Sequence, residues 1–193
     1  MPRSTPPVLA PGILSAHAQP TLVGDGVLLR PWEPADAPVV FAAYQDPDIQ
    51  RWHVRGMADL DEAVAWVDHV RRGWVSESLA GWAVEVDDGI DWVLAGRVVL
   101  RFLDLHDGRV EVGYWVLPAA RGRGVATRAL SVLSSWALDE LGLHRLELEH
   151  SVRNQASCRV AVRAGFELEG TRRAAQRHDD GWHDMHVHAR LGA

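Results

Sequence analysis

Between residues 116 and 126 the chain changes its period, and this change constrains the fold more than any other feature. Residues 110–116 read as a strand, while residues 124–141 carry Val125, Ala129, Val132, Leu133, Trp136, Ala137 and Leu141 at helical spacing. The link is Leu117-Pro118-Ala119-Ala120-Arg121-Gly122-Arg123-Gly124. Pro118 keeps the residue before it extended, so a long helix opens directly off a strand end. The first turn of a helix leaves N–H groups unpaired and carries partial positive charge, which suits a phosphate or pyrophosphate. Gly122 and Gly124 have no Cβ to hold a ligand off the backbone, and Arg121 and Arg123 add charge beside it. The plain alternative is a strand-to-helix turn on a solvated arginine patch. A dinucleotide-binding fold would want a third glycine where Thr127 stands, and would want the loop in a first strand–helix–strand unit. Here the loop follows a run of strands.

Elsewhere the pattern is equally mixed. Residues 22–29 predict a first strand, which Pro31 and Pro34 end, and residues 35–44 predict a helix. Residues 59–74 predict a longer helix, with Leu60, Ala63, Val64, Val67, Val70 and Trp74 on one face. Asp59, followed three residues later by Glu62, resembles a capping start. Strands at 82–86, 92–102 and 110–116 are joined by Asp87-Asp88-Gly89 and Asp107-Gly108, an antiparallel meander. Past the long helix come a strand at 144–149, a helix at 154–164, a strand at 166–171, a polar loop at 173–181 and a last strand at 182–191. The predicted fold is α+β, a single domain over residues 21–193, with one mixed, mostly antiparallel sheet of about seven strands flanked by helices. Residues 1–20 hold five of the ten prolines and predict a flexible or loosely draped tail.

Composition removes several function classes. All 20 basic residues are arginine, which excludes a phosphate-loop lysine, a Schiff-base lysine and a lysine-tethered cofactor. The net charge of −6 argues against non-specific nucleic-acid binding and towards a cationic ligand. Cys158 is the single cysteine, so no internal disulfide forms and a reducing cytoplasm is the simplest setting. No apolar run approaches the ~18–20 residues that span a bilayer, and no signal peptide is readable. No membrane or nucleic-acid partner is expected.

With Arg121, Gly124 and Ala126 at the family's spacing, the junction resembles the GNAT superfamily of acetyl-CoA-dependent N-acetyltransferases. Glu111-x-Gly113-Tyr114-Trp115, Asn154-Gln155-Ala156-Ser157, Gly165-Phe166 and Glu169-Gly170-Thr171 look like its branch named for the Rim acetyltransferases of ribosomal-protein N-termini. Leu29-Arg30-Pro31-Trp32 and Asp36 look like that branch's opening. The signals come in the expected order, which is more specific than any one of them.

The resemblance implies a GNAT-like single acetyltransferase domain with a splayed sheet and acetyl-CoA between the strands at 110–116 and 144–150. Pantetheine would run along Trp115, Val116 and Leu117, like an added strand. Pyrophosphate would sit on Arg121, Gly122, Arg123, Gly124, Val125 and Ala126, with Thr127 next in line. The implied reaction is direct attack of a neutral amine on the thioester. A backbone N–H near Val116 would serve the oxyanion, worth about 3 kcal/mol by analogy with other such donors.

Asn154 suits a helix N-cap, and the resemblance adds a contact to pantetheine. For Ser157 the resemblance implies an acid for the departing thiolate, against a plain bond back to the helix. Cys158 points about 100° away from Ser157 and reads as a buried structural thiol rather than a nucleophile. Glu111 is the first candidate for the base, with an ordinary ion-paired glutamate as the alternative. Glu149 and His178 stand in reserve, and Gln176 occupies the position where some relatives carry a catalytic glutamate. His186 and His188 share one face of the last strand and His183 takes the other. Two ligands fall short of the three or four that zinc wants, so no metal is expected.

The leading function is acetyl transfer to a primary amine, on a protein N-terminus or a small molecule. The alternative is a non-catalytic CoA- or nucleotide-binding sensor. The acceptor site is expected near residues 35–75 and 173–181, where Trp32, Trp52, Trp66, Trp74 and Trp182 fall in or close by. The sequence leaves the acceptor, other acyl groups and the oligomeric state open, a homodimer included.

Overall fold

The computed structural model describes residues 4–192. The first predicted strand is a hairpin, β1 (Leu22–Gly24) and β2 (Val27–Pro31), because Asp25 and Gly26 both take positive φ and turn the chain. A short turn leads into α1 (Ala37–Ala43). A helix with no counterpart in the sequence reading follows, α2 (Pro47–His53), with Asp46 as N-cap accepting from Ile49 N–H at 3.0 Å. Then comes α3 (Leu60–Val75), where Asp59 caps through Glu62 N–H. The Glu62 carboxylate takes the N–H of Ala58 instead of closing a reciprocal box with Asp59.

The meander is β3 (Leu79–Asp87), β4 (Trp92–Asp104) and β5 (Arg109–Val116). The long helix is α4 (Val125–Ser135), which loosens into a π turn over Trp136–Glu140. After it come β6 (Arg145–Ser151), α5 (Gln155–Arg163), β7 (Glu167–His178) and β8 (Gly181–Leu191). The polar stretch expected as a loop at 173–181 is thus strand up to His178. Its backbone pairs with β8 through Gln176↔His183 and His178↔Gly181, and a polar side-chain pattern does not prevent that.

All eight strands, one more than expected, lie in one sheet of order β1-β2-β3-β4-β5-β6-β8-β7. Every pairing is antiparallel except β5 with β6, which is parallel and runs only through Arg109↔Arg145, Val110↔Leu146 and Glu111↔Glu147. Beyond Glu111 the two strands diverge and a gap opens between them. The larger core lies on the α4 and α5 side, with Trp74, Trp82 and Trp136 in mutual edge or tilted contact. The smaller core, with Trp32, Tyr44 and Trp115, lies under α1 and α3.

The segment before residue 20 is not loosely draped where it is described. Leu9 and Leu14 are buried, at 8% and 1% exposure. Val8 and Leu9 donate to His106 and Leu105 carbonyls, while Gly12 and Leu14 donate to the Glu77 carboxylate at 2.7 Å. His17 and Pro20 carbonyls accept from the indoles of Trp74 and Trp82, both at 2.8 Å. Buried indole N–H groups need acceptors, and this segment supplies them.

Candidate active site

The gap between β5 and β6 continues into a cleft of about 680 Å³. Its geometry follows from strand alternation. Leu117 N–H is bonded to Ala95 of β4 at 2.8 Å, so the backbone groups of Val116, Tyr114 and Val112 point the other way, into the gap. The Tyr114 carbonyl there accepts from His53 Nε2 at 3.0 Å, taking that ring nitrogen as the protonated one. Burial, with Arg97 and Arg101 nearby, pushes His53 down to about 4, so the ring is neutral. Leu117, expected along pantetheine, gives its N–H to β4 and does not line the cleft.

Below the gap, Gly122 and Gly124 take φ of 75° and 74°, and a Cβ on either would meet no protein atom within 4 Å. The glycines therefore serve the left-handed backbone and an open approach, not internal packing. Among the described residues, no protein acceptor takes the N–H groups from Gly122 to Ala126. Gly122, Gly124, Val125, Ala126 and Thr127 all line the cleft. These features fit a pyrophosphate.

Arg121 lines the cleft, but its guanidinium turns to α2 and bonds Asp46 at 2.5 Å and Asp48 at 3.0 Å. Its charge is committed there rather than left free for phosphate. Arg123 is exposed and does not line the cleft.

On the α4 and α5 side of the gap, Asn154 caps α5 by accepting from Ser157 N–H at 3.0 Å. Ser157 is buried, and its Oγ lies 2.8 Å from the Tyr114 hydroxyl. Both line the cleft with Asn154. Burial pushes the Tyr114 phenol up to about 12, partly offset by the bond to Ser157. Tyr114, which the sequence offers only as part of a motif, thus enters the cleft wall beside Ser157.

The opposite wall holds Arg97, Arg101, Trp52, Glu149 and Gln176. Glu111 is close by but does not line the cleft. Its carboxylate binds Arg101 Nε at 3.0 Å and makes a second, short contact to Nη2. Glu149 does line the cleft and is held by Arg172 at 2.6 Å. His178 is buried away from the lining, stacked on His183 at 4.0 Å and bonded to the Arg51 carbonyl. Trp66 stacks on Arg97, Trp32 and Trp74 are core, and Trp182 is exposed, so of the five tryptophans only Trp52 meets the cleft.

The ground for excluding a metal does not hold. His186 and His188 share a face as expected, but β6 adds His150 and α5 adds Cys158 to the same cluster. Burial holds both His150 and His188 below the ordinary imidazole range.

Comparison with known proteins fits this geometry. The family described as "Acetyltransferase (GNAT) domain" matches residues 27–167. The chain is 26% identical over 155 residues to the uncharacterized N-acetyltransferase YoaA of Bacillus subtilis (strain 168), covering 80% of this chain and 86% of that protein. It is 33% identical over 98 residues to the ribosomal-protein-serine acetyltransferase of Escherichia coli (strain K12), covering 51% and 55%. RimL, a ribosomal L7/L12 alpha-N-protein acetyltransferase solved with coenzyme A, superposes with a TM-score of 0.78 over 90% of this chain and 98% of that one. Its identity is 20%, so that likeness is one of fold. With a family match running from β2 to the start of β7, and a splayed sheet around an open cradle, the chain belongs to the GNAT acetyltransferases, acyltransferases that use acetyl-CoA.

Proposed function

We propose that the chain moves the acetyl group of acetyl-CoA directly to a primary amine. The observation that carries this reading is the Ser157–Tyr114 hydroxyl pair, 2.8 Å apart in the wall of the gap. A binding module needs no proton donor at that point. In this reading the N–H groups from Gly122 to Ala126 hold pyrophosphate, while Trp115, Val116 and Asn154 guide the pantetheine arm. Val116 N–H faces the gap and polarises the thioester carbonyl as negative charge grows on its oxygen. Ser157, backed by Tyr114, gives a proton to the departing thiolate.

We assign removal of the amine proton to Glu149 rather than Glu111. Glu149 lines the cleft, and a base must be within reach of its proton. Glu111 acts one step back, by fixing the guanidinium of Arg101 that does line the cleft. Arg97 lines the cleft, its Nε is buried with no hydrogen-bond partner among the described residues, and its guanidinium lies 4.9 Å over Trp66. It therefore favours an amine carried beside an anionic group, on a protein N-terminus or a small molecule. The E. coli relative, a ribosomal-protein-serine acetyltransferase, supports a protein as the acceptor.

The test is free-thiol release from acetyl-CoA with a panel of amines, with and without a neighbouring carboxylate. Release with acidic-flanked amines supports the reading, and binding without release for any amine overturns it. For the base, Glu149→Gln is expected to slow turnover by ~10²-fold or more at low pH, converging on wild type as pH approaches the amine's own pKa. A loss of that size with Glu111→Gln, and none with Glu149→Gln, returns the role to Glu111.

A further inference from the structure

The three-histidine, one-cysteine cluster under α5 lies beside the acetyl-transfer cleft and has no part in the chemistry assigned there. β6 contributes His150, β8 contributes His186 and His188, and α5 contributes Cys158. The register His150↔His186 and Leu148↔His188 brings the β6 and β8 side chains to one face of the sheet, the face that α5 covers. One ligand atom from each of the four residues lies within 4.8 Å of every other.

We propose that His150, His186, His188 and Cys158 bind one tetrahedral divalent metal ion of the zinc class. The spacing fits. Metal–nitrogen bonds of about 2.0–2.1 Å at tetrahedral angles put two nitrogens about 3.3 Å apart, and His150 Nε2 lies 3.2 Å from His188 Nε2. The tautomer fits too. His150 Nδ1 lies 2.8 Å from the Ser151 carbonyl, which only accepts, so Nδ1 carries the proton and Nε2 presents its lone pair to the cluster. That outer bond is the support a metal-bound imidazole usually has. Without an ion two ring nitrogens of the cluster, His186 Nδ1 and His188 Nδ1, are buried with no hydrogen-bond partner, a cost that a native core rarely carries.

Three imidazoles and one thiolate make a borderline-soft set that suits Zn²⁺ over Mg²⁺ or Ca²⁺. The ligands sit on two strands and a helix, elements rigid enough to hold a coordination sphere. On binding, Cys158 loses its thiol proton to solvent and coordinates as thiolate. The ion would then tie α5, which carries Asn154 and Ser157, to β6 and β8. With all four positions filled by protein, it has no open site for chemistry and acts as a staple.

Cobalt titration of the chelator-treated full chain, with no acetyl-CoA present, tests the site apart from the acetyl-transfer reading. Because Cys158 is the only cysteine, a thiolate-to-cobalt charge-transfer band can come from nowhere else. One equivalent of Co²⁺ is expected to give that band together with the intense d–d bands of tetrahedral cobalt, and one equivalent of Zn²⁺ to abolish both. Cys158→Ser should remove the charge-transfer band, and His186→Gln should weaken Zn²⁺ affinity at least tenfold. Thermal unfolding should shift upward with Zn²⁺ in the wild type and not in Cys158→Ser. A wild-type chain that gives no thiolate band, or gives only octahedral cobalt spectra, overturns the proposal whether or not the variants fold.

Discussion

A serine hydroxyl is a poor acid in water, and the acid role proposed for Ser157 depends on its neighbour. Tyr114, raised to about 12 by burial, stays protonated across the working pH range and can pass a proton through Ser157. Tyr114→Phe and Ser157→Ala are each expected to lower kcat by roughly 10²-fold, within the range for general acid catalysis. Affinity for acetyl-CoA should change far less, because the bond strengthens only as thiolate forms. The double variant should lose little beyond either single one, as in any coupled pair. The raised value also fixes the pH response: no fall in rate from Tyr114 ionisation is expected until pH approaches 12. A steady-state pH profile of the three variants checks all of this, and additive losses would separate the two hydroxyls. That Asn154 and Ser157 stand together at a helix start was legible, because one short motif holds both. Tyr114 stood in a quoted motif yet took no role, since its partner lies across the gap on another element. Arg121 was legible as a motif residue but not in its orientation, which depends on Asp46 and Asp48 of a helix the sequence did not reveal.

That helix, α2, shows why short elements escape a reading by period. Seven residues make two turns, too few for an apolar face to repeat, and only Ile49 in it is buried. Its N-cap Asp46 has two tasks: it accepts from Ile49 N–H and it binds Arg121. The bond to Arg121 and the backbone donors hold its carboxyl below the ordinary range, although burial works in the opposite direction. Asp46→Ala is therefore expected to cost about 1–2 kcal/mol as a lost cap. It should also free Arg121 and change acetyl-CoA affinity, which calorimetric titration would read beside denaturant unfolding. An unfolding loss with unchanged affinity would mean that Arg121 has no bearing on the cradle. The far half of β7 escaped for the opposite reason. Residues 173–178 carry no large apolar side chain and are mostly exposed, so neither face shows an alternation, and what joins them to β8 is the backbone pairing of Gln176, Arg177 and His178 with the stack of His178 on His183. The long elements α3, α4, β4 and β5 were legible because their burial repeats often enough to leave a period.

At the scale of the whole molecule, the proline-rich start misled because composition reports chain entropy and not anchorage. Two buried leucines and one carboxylate hold it. Glu77 accepts from Gly12, Leu14 and Ser15 N–H groups, and these hold its carboxyl below its ordinary value of 4.5 although burial pushes it up. A lowered carboxyl stabilises above its unfolded value and loses that contribution as pH falls through the folded one. The anchorage should therefore weaken in acid, below about 4.5. Glu77→Ala is expected to speed limited proteolysis within residues 10–20 at neutral pH while the sheet stays folded. Cleavage at the wild-type rate would mean that Leu9 and Leu14 hold the segment unaided.

The three residue pairs that join β5 to β6 give the molecule the build of a book with a short spine. Five strands form one cover and three form the other, and the spine occupies only one end of the page edge. Opening such a book strains few bonds, so the three-strand cover should breathe as a unit. Its amides should exchange with solvent together and faster than those of β3 and β4. In the proposed mode a thioester laid between the covers would touch both, from Val116 on one to Ser157 on the other, and would work as glue as well as reagent. Saturating acetyl-CoA should accordingly slow hydrogen exchange in β6 and α5 as much as at the cradle. Uniform protection without ligand would mean that packing on α5 already binds the covers shut. Where breathing is seen, losing the acetyl group leaves CoA with one contact fewer across the fold, and turnover would end when the book reopens.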